Sequence, residues 1–371
     1  MRMNDKKYKV LVAPLDWGLG HATRSIQVIQ ELQTKGCEVC IASSGAALVL
    51  LKEEFPQLIF FELPSYKASY SRYLPLIFKV IFQVPKFLAV IWMEHRKTEK
   101  IVTEHQIDFV ISDSRFGCWT KLVPTVFITH QVNIQIPFFL KWLQPTVNYF
   151  NHRQIRKFNY CWIPDHPKVR LTGKLSAADN FKLIFIGMLS RFNKVEPQPK
   201  QYDILALISG PEPQRSMFES LVRAQLNKTH GRKLMVKGLP GSGSEIKTTN
   251  DLQEVNHVAT DTLQQIIASS DLVVCRSGYS SVMDLAILNK NAVFVPTPGQ
   301  TEQEILAEEL EKRGIAYYQK QKDFNIASAM EKSKTYSGFV GWNSDSNLLA
   351  NAIDDLLSQN KNNKTTSFQN S

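Results

Sequence analysis

From Tyr8 onward the chain alternates short apolar, β-branched runs with stretches of helical periodicity, and it does so twice. Strands separated by helices cannot pair as tight hairpins; they pair parallel, with the helices covering the sheet faces. In the first pass KVLVAP (9–14), CEVCIAS (37–43), LIFFELP (58–64), DFVISD (108–113), TVFITH (125–130) and NYCWIP (159–164) read as strands, with an amphipathic helix over 25–36 closed by Gly36. Residues 165–202 break the rhythm and end in the Pro- and Lys-rich NKVEPQPKQ, the composition of a crossing between domains. The alternation then restarts, with strands expected at 203–209, 233–238, 271–277 and 292–297 and helices at 213–227, 261–269, 280–288 and 302–313. At roughly 150 residues per domain, a chain of 371 residues accommodates this division. The expected plan is an α/β domain over 1–164, a crossing over 165–202 and a second α/β domain over 203–358. A polar, low-complexity tail over 359–371 is expected to be unstructured. Residues 239–250, LPGSGSEIKTTN, read as a surface loop.

Hydrophobic residues at 43% and charged residues at 21% are enough to build and solubilise two such cores. The 44 Lys and Arg against 34 Asp and Glu leave a net charge of +10, which suits an acidic partner: nucleic acid, anionic lipid or a phosphorylated substrate. Residues 1–165 hold 20 basic and 13 acidic side chains, and 166–371 hold 24 and 21, so the excess belongs to the first half. The five cysteines are scattered, and most sit in apolar runs, as buried thiols of a reducing, cytoplasmic compartment do. Cys37 and Cys40 have CxxC spacing without a second pair or a nearby His, so no zinc site is expected. The basic N-terminus meets Asp16 before any cleavage site, which argues against a signal peptide or a membrane span there.

The sharpest local feature is PLDWGLGHATRS (14–25), which leads from a buried strand through a Gly-rich turn into a helix. Gly18 and Gly20 permit a tight turn and close approach, and the free N–H groups of the next helix favour negative charge. A dinucleotide fingerprint would need a third Gly where Thr23 stands and an acidic residue where Ala42-Ser43-Ser44 end the next strand, so a nicotinamide or flavin cofactor is disfavoured. His21 stands where a neutral imidazole takes a proton from a substrate hydroxyl; a His that merely fills the turn is the competing reading, and position does not separate the two. Asp113, at the end of DFVISD, is the second catalytic candidate beside His21; it comes nearest to a metal-site carboxylate, but a lone Asp at a strand end more often orients a neighbouring loop or the acceptor.

The second constellation runs strand, Arg276-Ser277-Gly278-Tyr279-Ser280-Ser281, helix with Asp284, strand, then TPGQTEQE into another helix. Two successive strand-to-helix junctions set polar residues at the carboxyl edge of a parallel sheet, where open α/β folds bind ligands. Arg276 suits a phosphate oxygen, Ser280 and Ser281 add donors at a helix N-terminus, Asp284 suits a ribose diol, and Glu302 with Gln303 suits sugar hydroxyls. A third junction, ISGPEPQR (208–215), sets Ser209 and Gly210 beside the same edge, with Arg215 nearby.

Two α/β halves, a Gly-rich turn bearing His and the run CRSGYSSVMDLAILNKNAVFVPTPGQTEQE (275–304) together resemble the GT-B glycosyltransferases. The likeness is to the family 28 group containing the lipid-linked N-acetylglucosaminyltransferase of bacterial peptidoglycan synthesis. It implies two Rossmann-like domains facing each other across a cleft, the C-terminal one gripping a UDP-sugar and the N-terminal one an acceptor that is a glycan or lipid-linked. Carried over, Arg276, Ser277 and Gly278 form the phosphate-facing turn, Asp284 stands where relatives usually place a ribose-binding Glu, and Glu302-Gln303 matches the pair that contacts the donor sugar. Gly18, Gly20 and Arg24 belong to the acceptor-side turn. The implied chemistry is inverting transfer, of N-acetylglucosamine among other sugars, without metal or resident cofactor, with His21 as base. It also implies a peripheral place on the inner face of the plasma membrane.

Two stretches bear on that surface. Residues 74–93 are the most apolar of the chain, yet Lys79, Gln83 and Lys86 recur at helical spacing and Pro75 and Pro85 interrupt, which argues against a span. Seven basic and two acidic residues lie between Lys67 and Lys100, and the second stretch, 136–150, is followed by Arg153, Arg156 and Lys157. Docking on an anionic bilayer and burial as core helices of the first domain are both compatible with this pattern. Two further readings stand beside the transferase: a UDP-N-acetylglucosamine 2-epimerase, which shares the two-domain plan, and a basic protein binding nucleic acid or lipid. The ordered motifs at strand ends favour the enzyme over a nucleic-acid partner.

Overall fold

The computed structural model describes residues 7–66, 76–136, 138–168, 170–176, 181–196, 198–249, 251–339 and 347–368. Its first sheet holds β1 (Lys9–Pro14), β2 (Glu38–Ser43), β3 (Ile59–Glu62), β4 (Phe109–Asp113), β5 (Thr125–Ile128), β6 (Tyr160–Ile163) and β7 (Leu183–Phe185), in the order β3-β2-β1-β4-β5-β6-β7 and all parallel. The second holds β8 (Tyr202–Leu207), β9 (Lys233–Val236), β10 (Lys247–Thr249), β11 (Leu252–Val255), β12 (Ser270–Cys275), β13 (Ala292–Phe294) and β14 (Tyr317–Tyr318), in the order β10-β11-β9-β8-β12-β13-β14. The expected surface loop holds β10, which pairs antiparallel with β11 just beyond it. Helices α1 (Gly20–Thr34), α2 (Gly45–Glu54), α3 (Leu76–Glu104) and α4 (Gln144–Ile155) belong to the first half. The rest of the chain supplies α5 (Gln214–Leu226), α6 (Thr260–Ala268), α7 (Tyr279–Ile287), α8 (Thr301–Lys312), α9 (Ile326–Ser333) and α10 (Asn347–Phe368).

Alternation along the strands explains why both faces of each sheet are covered. Val10, Val12 and Ile111 face Ile26 and Ile29 of α1, while Leu11, Ala13 and Val110 face Ile101 and Val102 of α3. In the second domain Leu205, Val273 and Phe294 pack on Val282 and Leu306, and Ile204, Val274 and Val293 pack on Phe218 and Ala329. Strand order reverses between β1 and β4 and again between β8 and β12, so each sheet has a switch point with a crevice at its carboxyl edge. These two edges carry the motif residues. The cysteines are free, four of them buried and Cys37 half-buried.

Two domain boundaries differ from the expectation. β7 pairs with β6, and Ile186 and Leu189 enter the first core, so the first domain runs past 164 into the expected crossing. At the other end, α10 leaves the second domain: Leu349, Ala352, Ile353 and Leu356 recur at helical spacing and pack into the first core beside α1, and Lys35 reaches Asp354 at 2.5 Å. The helix continues to Phe368, through the start of the tail expected to be unstructured from Gln359.

The outer face of α3 is unusual. Val84, Leu88, Trp92 and Met93 are exposed, whereas Glu94 and Thr98 are fully buried on the inner face. Of the polar residues at helical spacing, Lys86 is exposed, Gln83 is half-buried and the Lys79 side chain lies outside the described residues. The buried Glu94 has a cationic partner inside, Arg115 at 2.6 Å, while apolar positions face outward.

Ile353→Ala is expected to destabilise the first domain by about 2–5 kcal/mol, because a fully buried side chain is removed. Urea unfolding monitored in the first domain measures this, and an unchanged midpoint would remove α10 from its core.

Candidate active site

Gly18, at φ +84°, turns the chain out of β1 in a conformation that side chains resist. Helix α1 then begins at Gly20, earlier than the periodicity indicates, so His21 lies in its first turn. A Cβ on Gly20 would stand 3.1 Å from Ser280 Oγ, and that hydroxyl donates to the Gly20 carbonyl at 2.7 Å. Gly20 is therefore a point of contact between the domains.

His21 Nδ1 lies 2.9 Å from Asp113 Oδ1 at the carboxyl end of β4. One turn on, Arg24 donates from Nε to Asp113 Oδ2 at 2.6 Å and from Nη2 to Oδ1. Burial pushes the Asp113 carboxyl up, but the Arg24 guanidinium and His21 outweigh it and hold the group well below the usual carboxylate range. Asp113 is thus ionised and accepts from Nδ1–H of His21, which leaves the lone pair on Nε2; Arg24 Nη2, 2.9 Å from the same ring nitrogen, then donates to Asp113 rather than to the ring. Burial, opposed by Asp113 and assisted by Arg24 and His130, lowers the imidazole below its ordinary 6.5 and keeps it neutral near pH 7. A partly exposed neutral imidazole with a free lone pair is able to accept a proton from a hydroxyl brought to it. The sequence pairs neither His21 nor Arg24 with Asp113, and it places Arg24 with the acceptor. At 2% exposure that guanidinium is interior and belongs to the carboxylate.

The network continues across the cleft through His130 and Gln131, which the sequence does not single out, to the expected Glu302. Arg24 Nη1 lies 2.8 Å from His130 Nδ1, and His130 Nε2 lies 2.6 Å from Glu302 Oε1. Gln131 donates to the other Glu302 oxygen. The His130 ring stacks on Tyr279 with centroids 4.4 Å apart and planes 9° apart. The available signal was position: His130 ends the run TVFITH at a strand's carboxyl edge, as Asp113 ends DFVISD.

Beneath the Gly-rich turn, Arg115 has no exposed surface and gathers the carboxyl ends of β1, β2 and β3 together with Glu94 of α3. It donates to the Pro14 carbonyl at 2.8 Å, Ser44 Oγ at 2.6 Å, the Pro64 carbonyl at 3.1 Å and Glu94 Oε1 at 2.6 Å. Its Nη2 is 3.5 Å from Asp16, which also accepts from Ser65. The turn bearing Gly18 and His21 stands on this cluster.

On the opposite edge, Ser209 and Gly210 follow β8 and are half-buried, with Gly210 at φ +113°. Gly278 is the N-cap of α7, whose first turn carries Tyr279, Ser280 and a half-buried Ser281, with no side-chain cap. Ser277 Oγ donates to the Gln303 carbonyl at 2.8 Å, and Gln303 Oε1 accepts from Thr297 N at 2.8 Å, which shapes the loop before α8. Two expectations need correction. Arg276 does not face the cleft: it is 1% exposed, its guanidinium lies 4.0 Å over the Phe218 ring, and it donates to the carbonyls of Val295, Pro296 and Gln214 and to Gln321 Oε1. Burial pushes it down to about 9. Asp284 accepts from Ser190 Oγ at 2.5 Å, with Arg191 at 4.0 Å, so it grips the crossing segment. Burial pushes its carboxyl up to about 6.

Residues 214–336 match the C-terminal domain of glycosyltransferase family 28. The chain is 24% identical over 211 residues to a UDP-N-acetylglucosamine–N-acetylmuramyl-(pentapeptide) pyrophosphoryl-undecaprenol N-acetylglucosamine transferase of Sulfurihydrogenibium sp., covering 51% of this chain and 60% of that protein. It is 23% identical over 333 residues to an uncharacterized glycosyltransferase of Methanosarcina mazei, covering 82% and 84%. Among solved structures, CalG4, the calicheamicin glycosyltransferase, superposes with a TM-score of 0.62 at 13% identity over 97% of this chain and 99% of that one. MurG of Acinetobacter baumannii gives 0.51 at 13% identity over 92% of each. SsfS6 of Streptomyces sp. SF2575, complexed with thymidine diphosphate, gives 0.58 at 14% identity over 95% and 96%. The chain thus shares the two-domain GT-B fold along nearly its whole length, and residues 214–336 are similar to the C-terminal domain of glycosyltransferase family 28.

Proposed function

We propose that the protein moves a sugar from a UDP-sugar to a hydroxyl of a lipid-linked glycan, with inversion at the anomeric carbon and His21 as base. The observation that carries this reading is the ionised Asp113 holding the His21 imidazole with its Nε2 lone pair available, across the cleft from the first turns of α7 and α8. The acceptor hydroxyl gives its proton to Nε2 as its oxygen bonds to the anomeric carbon. The bond from that carbon to the diphosphate breaks, and its electron pair leaves on the diphosphate oxygen. Asp113 stabilises the imidazolium so formed. With Arg276 turned inward, the departing charge falls to backbone N–H groups of the uncapped α7 and to Ser281, and the reading calls for no metal and no resident cofactor. Glu302, 29% exposed at its side chain, is placed for sugar hydroxyls. The Sulfurihydrogenibium relative is named for UDP-N-acetylglucosamine and the SsfS6 complex holds a second pyrimidine nucleotide, which supports a pyrimidine diphosphate donor.

A lipid-linked acceptor is supported by the outward face of α3. Val84, Leu88, Trp92 and Met93 are exposed beside Lys86, Arg96 and Lys97, and Arg96 lies 4.2 Å over the Trp92 ring. Trp142, Tyr149 and Phe150 add exposed apolar surface around α4, near Lys141 and Arg153. Trp119 joins the two regions, stacked on His95 and covered by Lys157. No helix among the described residues is long and apolar enough to cross a membrane. The arrangement suits lying on an anionic inner leaflet, apolar side chains in the interface and cations at the headgroups. Phe87 of α3 touches Trp17 of the Gly-rich turn, so a docked lipid arrives beside the base.

Calorimetric titration is expected to show UDP binding in preference to GDP. His21→Ala is expected to keep that binding while lowering transfer about 10²–10⁴-fold; normal turnover, or acceptor-independent isomerisation of the donor, would overturn the assignment. Because His21 must be neutral to accept the proton and its titration is depressed, the transfer rate should fall on the acid side with a midpoint below 6.5. Leu88→Glu combined with Trp92→Glu is expected to abolish sedimentation with phosphatidylglycerol vesicles; retained sedimentation would reject this face as the docking surface.

A further inference from the structure

His130 is held from both sides of the cleft. From its own domain, Arg24 Nη1 approaches Nδ1 at 2.8 Å, and since a guanidinium only donates, Nδ1 accepts. The ring hydrogen is therefore on Nε2, which donates to Glu302 Oε1 at 2.6 Å. Tyr279, the first residue of α7, lies flat against the ring, and Gln131 takes the second Glu302 oxygen. The result is an unbroken path in which every hydrogen has a donor and an acceptor. His130 donates to Glu302, Arg24 donates to His130 and to Asp113, and His21 donates to Asp113. The groups that face His21 are Asp113, Arg24 and His130, with Glu302 and Tyr279 behind them.

We propose that His130 is a positioning residue, the centre of a clasp through which Glu302 and Tyr279 of the second domain fix Arg24 on Asp113, so that the base is set only when the two domains are closed. The clasp rests on the reading of His21 as base and extends it. A donor sugar that engages Glu302 touches the same carboxylate that anchors His130, so occupancy of the donor side is felt at the imidazole on the acceptor side. His130 itself meets neither substrate; at 6% exposure it acts through Arg24.

The test is a ring-labelled histidine NMR titration of the full chain without ligand. In the wild type His21 is expected as the Nδ1–H tautomer with a midpoint below 6.5. His130→Ala releases the clasp, lets water reach the imidazole, removes a neighbour that disfavours its protonation and is expected to raise that midpoint by about 0.5 unit or more. Tyr279→Ala is expected to do the same and Tyr279→Phe to restore the wild-type value, because the stack survives and the Tyr279 hydroxyl has no hydrogen-bond partner among the described residues. A prop that only supports β5 would lower the unfolding temperature without moving the His21 titration. A His21 midpoint within about 0.2 unit of wild type in the folded His130→Ala variant would overturn the proposal. If that variant does not fold, Tyr279→Ala decides by the same criterion. UDP is then added to the wild type: failure to bind would defeat the donor reading, while the ligand-free titrations decide the clasp separately.

Discussion

An ionised carboxylate with almost no exposure, Asp113, is the constraint around which the site is built. Removing such a charge from water costs several kcal/mol, and the cost is offset only when cations and donors surround it. Arg24 and His21, three residues apart on one face of α1, meet this need together, and Ser25 adds its hydroxyl. That demand pins the start of α1 against the end of β4 and so shapes the switch-point crevice. It also decides which imidazole nitrogen carries the hydrogen, and with it which nitrogen can accept one.

Both domains use a buried arginine at a strand's carboxyl end to hold the sheet edge in shape. Arg115 gathers Pro14, Ser44 and Pro64, while Arg276 gathers Val295, Pro296 and Gln214. Each trades hydration of one planar cation for several carbonyl and hydroxyl bonds, a geometry suited to guanidinium. The edges are consequently rigid where loops would otherwise be free, and ligand contact passes to backbone and to side chains one or two residues further along.

The strands were legible because a strand buried on both faces is nearly continuous in apolar residues, as in KVLVAP and DFVISD. Their helical partners gave the order, and the order gave the switch points. What periodicity does not carry is the identity of the surface a helix covers: Leu349, Ala352, Ile353 and Leu356 announce an amphipathic helix, and only the folded chain shows them against α1. Side-chain direction was equally hidden. Arg276 sits at the right strand end for a phosphate ligand, but its side chain turns toward Phe218, while His130 at an equivalent end turns into the cleft. Glycine told more than charge did, since a Cβ at Gly20 would stand 3.1 Å from Ser280 Oγ of the other domain and push that hydroxyl back.

The return of α10 to the first core means that the chain passes between the domains twice, once after Leu189 and once between Phe339 and Asn347. A body tethered at one point can swing in any direction, whereas two tethers define a line. A second connection therefore removes relative motions of the two sheets that a single tether would leave free.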